Sequence, residues 1–216
     1  MAKLSVNVNK IATLRNTRSL GIPSIVRLSG IALDAGASGI TVHPRPDERH
    51  IRPADVDEVA ALLQGYPDRE YNIEGNPFHG LIDHCRRCRP QQATLVPDAR
   101  EALTSNHGWN LVEMDVTQLA ALAAAIGELK YIGCRVSLFM DPVIEPMRIA
   151  RDLGADRVEL YTEPYAAAAL DGRFDTAVAP YVRAAAAARA HGLGVNAGHD
   201  LNLINLRPFL DAVGVI

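Results

Sequence analysis

No apolar run in this chain approaches the ~20 residues that a membrane span requires, and the opening stretch MAKLSVNVNK lacks the long apolar core of a signal peptide. The expected location is therefore the cytoplasm. An excess of basic residues is also missing. Lys and Arg number 22 against 25 Asp and Glu, for a formal charge of −3, so neither nucleic acid nor an anionic membrane has electrostatic support as a partner. Any anion site has to be local. Cysteine is scarce and odd in number, with Cys85, Cys88 and Cys134 only, which fits a reducing compartment better than a disulfide framework. Cys85 and Cys88 form one CxxC with no second to complete a four-ligand zinc site, and they are expected on a helix surface. No GxGxxG or Walker A motif follows a strand, which removes the commonest reason for an open nucleotide-binding sheet.

What is present is enough apolar material, 48% of 216 residues, for the large core of one α/β domain. Seven β-rich runs recur: 4–9, 39–44, 70–75, 92–97, 135–141, 157–162 and 194–199. Between most of them lie stretches with helical apolar spacing, such as SIVRLSGIALDAGA and FDTAVAPYVRAAAAARAHG. Three of these end alike, at Gly36, Gly154 and Gly192, where glycine suits the left-handed position that closes a helix before a short link to the next strand. Strict β/α alternation, with polar residues at the carboxyl ends of several strands, predicts a (β/α)8 TIM barrel over residues 1–216. The seventh strand begins near Gly194, so the eighth βα unit is expected to be missing from this chain, with Val213–Ile216 at most its lead-in.

Strand ends carry the chemistry in such a barrel. His43 follows Ile-Thr-Val, Glu74 lies beside Gly75, and His199 follows Ala197 and Gly198, small residues that admit a ligand close to the backbone. Each alone is compatible with a structural role. Two imidazoles and a carboxylate converging on one mouth can pass several protons in sequence without a metal, which suits a multistep carbonyl reaction. Arg18, in the polar run Asn16-Thr17-Arg18-Ser19, and Arg45 with His50 add positive charge suited to an oxyanion or phosphate, whereas Arg49 and Arg52 are expected to be solvated. Residues 96–110 form a polar loop with Gly108, expected to act as a lid over a bound phosphate.

In order along the chain, SVNVNKIATLRNTR, GITVHPRPDERHI, YNIEGN, TLVPDAREALTS, RVSLFMD and GVNAGHDLN resemble the pyridoxine 5'-phosphate synthase family over nearly the whole length. The resemblance implies condensation of 3-amino-2-oxopropyl phosphate with 1-deoxy-D-xylulose 5-phosphate, giving pyridoxine 5'-phosphate, phosphate and water. It implies no metal or organic cofactor, two phosphorylated small-molecule substrates, and a homo-octamer. It makes His43 a general base, Glu74 a second base and His199 a proton donor. Arg18, Arg45, His50 and Thr104 would hold substrate, with Asn7 on the amine-bearing one. Asn9 and Lys10 stand where the family has Asp and His, and Asp200 stands where it tends to have glycine, so that Asp200 either costs backbone access or caps the next helix. The family's closing Gly-His pair is absent. Competing readings are a metal-dependent sugar-phosphate isomerase or aldolase with Glu74, Glu159, His43 and His199 as ligands, and a non-catalytic phosphosugar-binding barrel.

Overall fold

The computed structural model describes residues 2–99 and 104–214. Seven strands occur among them: β1 (Ser5–Asn7), β2 (Gly39–Val42), β3 (Glu70–Gly75), β4 (Gln92–Leu95), β5 (Arg135–Met140), β6 (Arg157–Tyr161) and β7 (Gly194–Gly198). Nine α-helices accompany them: α1 (Asn9–Asn16), α2 (Ile25–Asp34), α3 (Pro53–Leu63), α4 (Ile82–Cys88), α5 (Val116–Ile132), α6 (Pro146–Asp152), α7 (Glu163–Leu170), α8 (Phe174–Ala190) and α9 (Leu206–Val213). The architecture is α/β, and β1 to β4 pair successively in parallel, as do β5 to β7. By contacts the chain forms two compact units, Lys3–Thr104 with Gly127–Val136, and the remainder.

In the first unit the strand period of two sorts residues onto opposite faces. Val6, Ile40, Val42, Tyr71, Ile73, Ala93 and Leu95 alternate with Ser5, Asn7, Thr41, Asn72, Glu74, Gln92 and Thr94, and the registers place Asn7 beside Thr41, Thr41 beside Asn72, and Glu74 beside Thr94. Within the second set Thr41, Asn72, Gln92 and Thr94 form a buried polar layer. Asn72 donates to Thr41 Oγ1 at 3.3 Å and accepts from Thr94 Oγ1 at 3.0 Å and Gln92 Nε2 at 3.3 Å. Arg135, at the start of β5, donates to Gln92 Oε1 at 3.0 Å and to Glu70 at 2.5 Å. Such a layer is tolerable inside because its members are mutually satisfied, and it specifies register because a slipped strand would leave them unpaired.

The second unit is closed by aromatic packing. Tyr165, Tyr181 and Phe209 meet edge to face with centroids 5.1–5.9 Å apart, joining α7, α8 and α9. The hydroxyls of Tyr165 and Tyr181 donate to the carbonyls of Asn205 and Tyr161, so neither phenol is buried unsatisfied. In the Ala-rich α8, Ala184, Ala185 and Ala188 are fully buried, as close helix packing requires.

Several expectations are corrected. The first strand stops at Asn7, and Asn9 and Lys10 begin α1 instead of ending a strand. Asn16 ends that helix and is not in a loop, and its carboxamide and Arg15 tie the helix end to the segment 48–50. Cys85 is wholly buried, since α4 turns Arg86 and Arg87 outward and Cys85 toward the core; only Cys88 is partly exposed. Asp200 does not cap the following helix, whose preceding turn is built by Asn202 and Asn205 through Asn202 Oδ1 and the Asn205 amide oxygen. Gly108 is a point of close approach: a Cβ there would meet the Met140 and Asp141 backbone at 2.3–2.4 Å. The Gly108 and Trp109 amides bond to Asp141 Oδ1 and Phe139 O. The rest of the expected lid includes residues 100–103, which lie outside the described residues, as do Val215 and Ile216 of the expected lead-in; Val213 closes α9.

Candidate active site

His43 leaves β2 on the polar face, two residues beyond Thr41. Its position is set from the main chain, because the Asn9 side-chain oxygen accepts the His43 amide N–H at 2.9 Å. Asn9 is in turn reached through Asn7, whose Oδ1 accepts the Asn9 N–H at 2.9 Å. Asn9 thus holds the strand end that carries His43. The imidazole lies between two carboxylates, with Nδ1 3.8 Å from Glu74 Oε2 and Nε2 3.7 Å from Asp98 Oδ2. Glu74 is steadied by Asn72 Nδ2 at 3.4 Å, which links it to the polar layer.

Arg45, 5% exposed, donates through Nη1 to Asp98 Oδ2 at 2.6 Å and through Nη2 to Ala99 O at 3.3 Å. His50 approaches His43 edge-on, with ring centroids 6.2 Å apart. Its Nδ1 accepts the Ile51 N–H at 2.9 Å, so the neutral ring carries its proton on Nε2 and offers a donor there. Burial lowers the His43 pKa to about 4; the Asp98 charge opposes that shift, while Arg45 and His50 add to it. Burial and the charges of Arg45 and Arg49 likewise lower His50 to about 4, with Asp47 opposing and Lys10 assisting. At neutral pH both rings are uncharged, one able to accept a proton and the other to donate a hydrogen bond.

The segment bearing His50 is held from α1. Asn16 Nδ2 donates to the carbonyls of Arg49 and His50 at 3.1 and 2.9 Å, and Arg15, ion-paired with Asp55, reaches His50 O at 3.3 Å. Sequence reasoning singled out Arg18 in this run. Arg18 is exposed just past the helix end, and Arg15 at helical spacing is the arginine turned inward. Arg49 pairs with Asp47 at 2.6 Å, in keeping with a surface role. Asn7, Lys10 and Thr104 are exposed.

His199 and Asp200 belong to the other unit. Both have left-handed backbone, φ +95° and +60°, where side chains are disfavoured. Thr162 over-determines this turn, donating from Oγ1 to Gly198 O at 2.7 Å and from its amide to the same carbonyl at 3.1 Å, and Asn205 Nδ2 holds Asp200 O at 3.2 Å. The Asp200 carboxylate contacts His199 Nδ1, and Tyr161 packs edge-on against the ring at 5.2 Å. The small residue Gly198 makes room for this chain's own Glu159: a Cβ there would stand 2.5 Å from Glu159 Oε1. The structure thus brings His43, Glu74, Arg45 and His50 together in one unit, and His199 with Asp200 in the other. Asp98, Arg15 and Thr162 were not among the residues assigned roles from sequence. Only the TLVPDAR stretch hinted at Asp98, as an acid just past a strand end.

The family model described as Pyridoxal phosphate biosynthesis protein PdxJ matches residues 4–216. A protein of Albidiferax ferrireducens named pyridoxine 5'-phosphate synthase is 53% identical over 216 residues, covering 98% of this chain and 84% of that protein. Proteins of the same name from Xanthomonas oryzae pv. oryzae and Cytophaga hutchinsonii are 52% and 47% identical, covering 98% and 100% of this chain and 84% and 89% of their own lengths. Among solved structures, HMG-CoA lyase from Brucella melitensis is similar in fold, with TM-score 0.53 and 15% identity over 91% of this chain and 81% of that one. With the family model matching residues 4–216, the chain belongs to the PdxJ family of pyridoxal phosphate biosynthesis proteins.

Proposed function

We infer that the protein is a pyridoxine 5'-phosphate synthase, condensing 3-amino-2-oxopropyl phosphate with 1-deoxy-D-xylulose 5-phosphate to pyridoxine 5'-phosphate, phosphate and water. The observation that carries this is identity near one half to curated synthases over 84% or more of their length. The strands are read as the first seven of a (β/α)8 barrel, on the strength of their successive parallel pairing and the intervening helices.

The reaction joins an amine to a ketone, loses water from the carbinolamine, eliminates phosphate and closes the ring by an aldol-type step. Every stage moves protons. In this reading the uncharged His43 imidazole takes protons as general base, Glu74 serves as a second base, and His199 donates. The His43 proton affinity, low without substrate, rises when a phosphate dianion enters beside Arg45, which brings the base nearer its working range. Arg45 and the Nε2–H of His50 bind that phosphate, with Arg18 and Thr104 as further phosphate contacts. Asn7, Lys10 and Asp200 are assigned to substrate binding. Asn9 is assigned there too, through the main chain of His43 that it holds.

The metal-dependent alternative would need Glu74, Glu159, His43 and His199 around one ion; among the described residues no three His, Cys, Asp or Glu side chains are grouped in that way. A homo-octamer and a cytoplasmic location complete the proposal. Exposed Leu14, Leu20 and Ile22 offer apolar surface for association, and no helix of the described residues is long and apolar enough to cross a membrane. The test is to incubate the protein with both substrates and assay for pyridoxine 5'-phosphate by mass spectrometry. Its formation, lost in His43→Asn, supports the assignment; its absence from active-site-intact protein overturns it.

A further inference from the structure

Asp98 stands three residues past the end of β4, yet it is only 5% exposed, an unusual place for a loop carboxylate. What draws it inward is Arg45. One oxygen, Oδ2, lies 2.6 Å from Arg45 Nη1 and 3.7 Å from His43 Nε2, so a single atom touches the guanidinium and faces the imidazole. The main chain around it is fixed as well. Asn76 Nδ2 donates to Asp98 O at 3.1 Å, and the next carbonyl, of Ala99, accepts from Arg45 Nη2 at 3.3 Å. His43, Arg45, Asn76, His79 and Asp98 line a cavity of about 10 Å³, room for roughly one water molecule beside the pair.

A buried ion pair is poor evidence for stability, because desolvation offsets most of the attraction. Its value lies in geometry. We propose that Asp98 is a positioning residue of this site, holding Arg45 and the Nε2 edge of His43 in place before the phosphorylated substrate arrives. The proposal rests on the reading of Arg45 as a phosphate ligand and His43 as a base. Its physical content is a trade. A carboxylate beside Arg45 repels an incoming phosphate dianion and so weakens binding, while the order it imposes on base and arginine favours turnover. Affinity and rate should therefore move in opposite directions when the charge is removed, whereas a residue that only stabilised the fold would lower both.

The experiment compares the full chain with Asp98→Asn, Asp98→Glu and Asn76→Ala. Inorganic phosphate and 1-deoxy-D-xylulose 5-phosphate are titrated calorimetrically, kcat and KM are measured with both substrates, and melting checks the fold. Asp98→Asn keeps the shape and loses the charge: phosphate binds about tenfold tighter and kcat falls by about tenfold or more. Asp98→Glu returns phosphate affinity to within about twofold of the parent and restores part of kcat. Asn76→Ala leaves the charge but loosens its seat, so kcat falls with phosphate affinity unchanged, and this variant decides the matter if Asp98→Asn does not fold. Weaker or unchanged phosphate binding in Asp98→Asn, or unchanged kcat in Asn76→Ala, overturns the proposal. If the parent protein makes no pyridoxine 5'-phosphate, the functional reading fails by itself, and the calorimetric comparison still decides whether Asp98 opposes phosphate at Arg45.

Discussion

Burial is what turns His43 from an ordinary titrating imidazole into one that stays uncharged at neutral pH. It is 7% exposed and faced by Glu74, Asp98, Arg45 and His50, and the Asp98 charge is too weak to offset desolvation. Replacing it by asparagine, and separately replacing His199 by asparagine, should each lower kcat by ~10²–10⁴-fold while leaving the melting temperature near that of the parent. Unchanged kcat in either variant refutes the corresponding role. Arg45→Ala should act on binding, raising KM for a phosphorylated substrate. The control is a dephosphorylated analogue, whose KM should not change; an equal loss would show that Arg45 does not recognise phosphate.

Helix ends and helix packing set the next scale. Several helices close with glycine at positive φ, Gly36, Gly154 and Gly192 among them, but α4 closes with exposed Arg89 at φ +47°, its N–H bonded to Cys85 O at 2.9 Å. An L side chain costs about 1 kcal/mol or more in that conformation. Arg89→Gly should therefore stabilise the protein by about 1 kcal/mol, visible as a higher urea midpoint at constant m-value. At the other end of the chain, α9 is anchored by Phe209, fully buried between Tyr165 and Tyr181. Phe209→Ala removes a ring that the surrounding helices cannot collapse to fill and should cost about 3–5 kcal/mol. A loss below 1 kcal/mol would mean that α9 contributes little to the fold.

For the whole molecule, the strongly lowered histidines His43 and His50 couple stability to pH. Unfolded, His43 and His50 take up a proton near 6.5; folded, they do so near 4. Between those values the unfolded chain binds more protons, so stability rises with pH. The contribution is complete above about 6.5 and is lost as pH falls toward about 4. Denaturation midpoints measured across this window should decline on acidification, and NMR titration of ligand-free protein should place the His43 midpoint near 4. A midpoint near 6.5 would show the imidazole to be solvated. Saturating phosphate should raise it, because the anion favours the charged ring.

The order and type of elements were legible from sequence because they depend on local periodicity: apolar alternation every two residues in the strands, helical spacing between them, and glycine where a helix must stop. The strand-end candidates His43, Glu74 and His199 followed from the same reading, since position along a strand is a one-dimensional quantity. What only the tertiary structure decided depends on which side chains meet across elements. Asp98 looks like a loop acid until β2 and β4 bring it against Arg45 and His43. Arg15 and Arg18 are indistinguishable by composition, and only the turn of α1 directs Arg15 to Asp55 and the His50 segment. Thr162 closes the left-handed turn at His199 through a hydrogen bond spanning 36 residues of chain. Charge pairing and hydrogen bonding act over a few ångströms in space, regardless of separation in sequence, so the residue types were visible from the outset and their partners were set by the packing of the sheet.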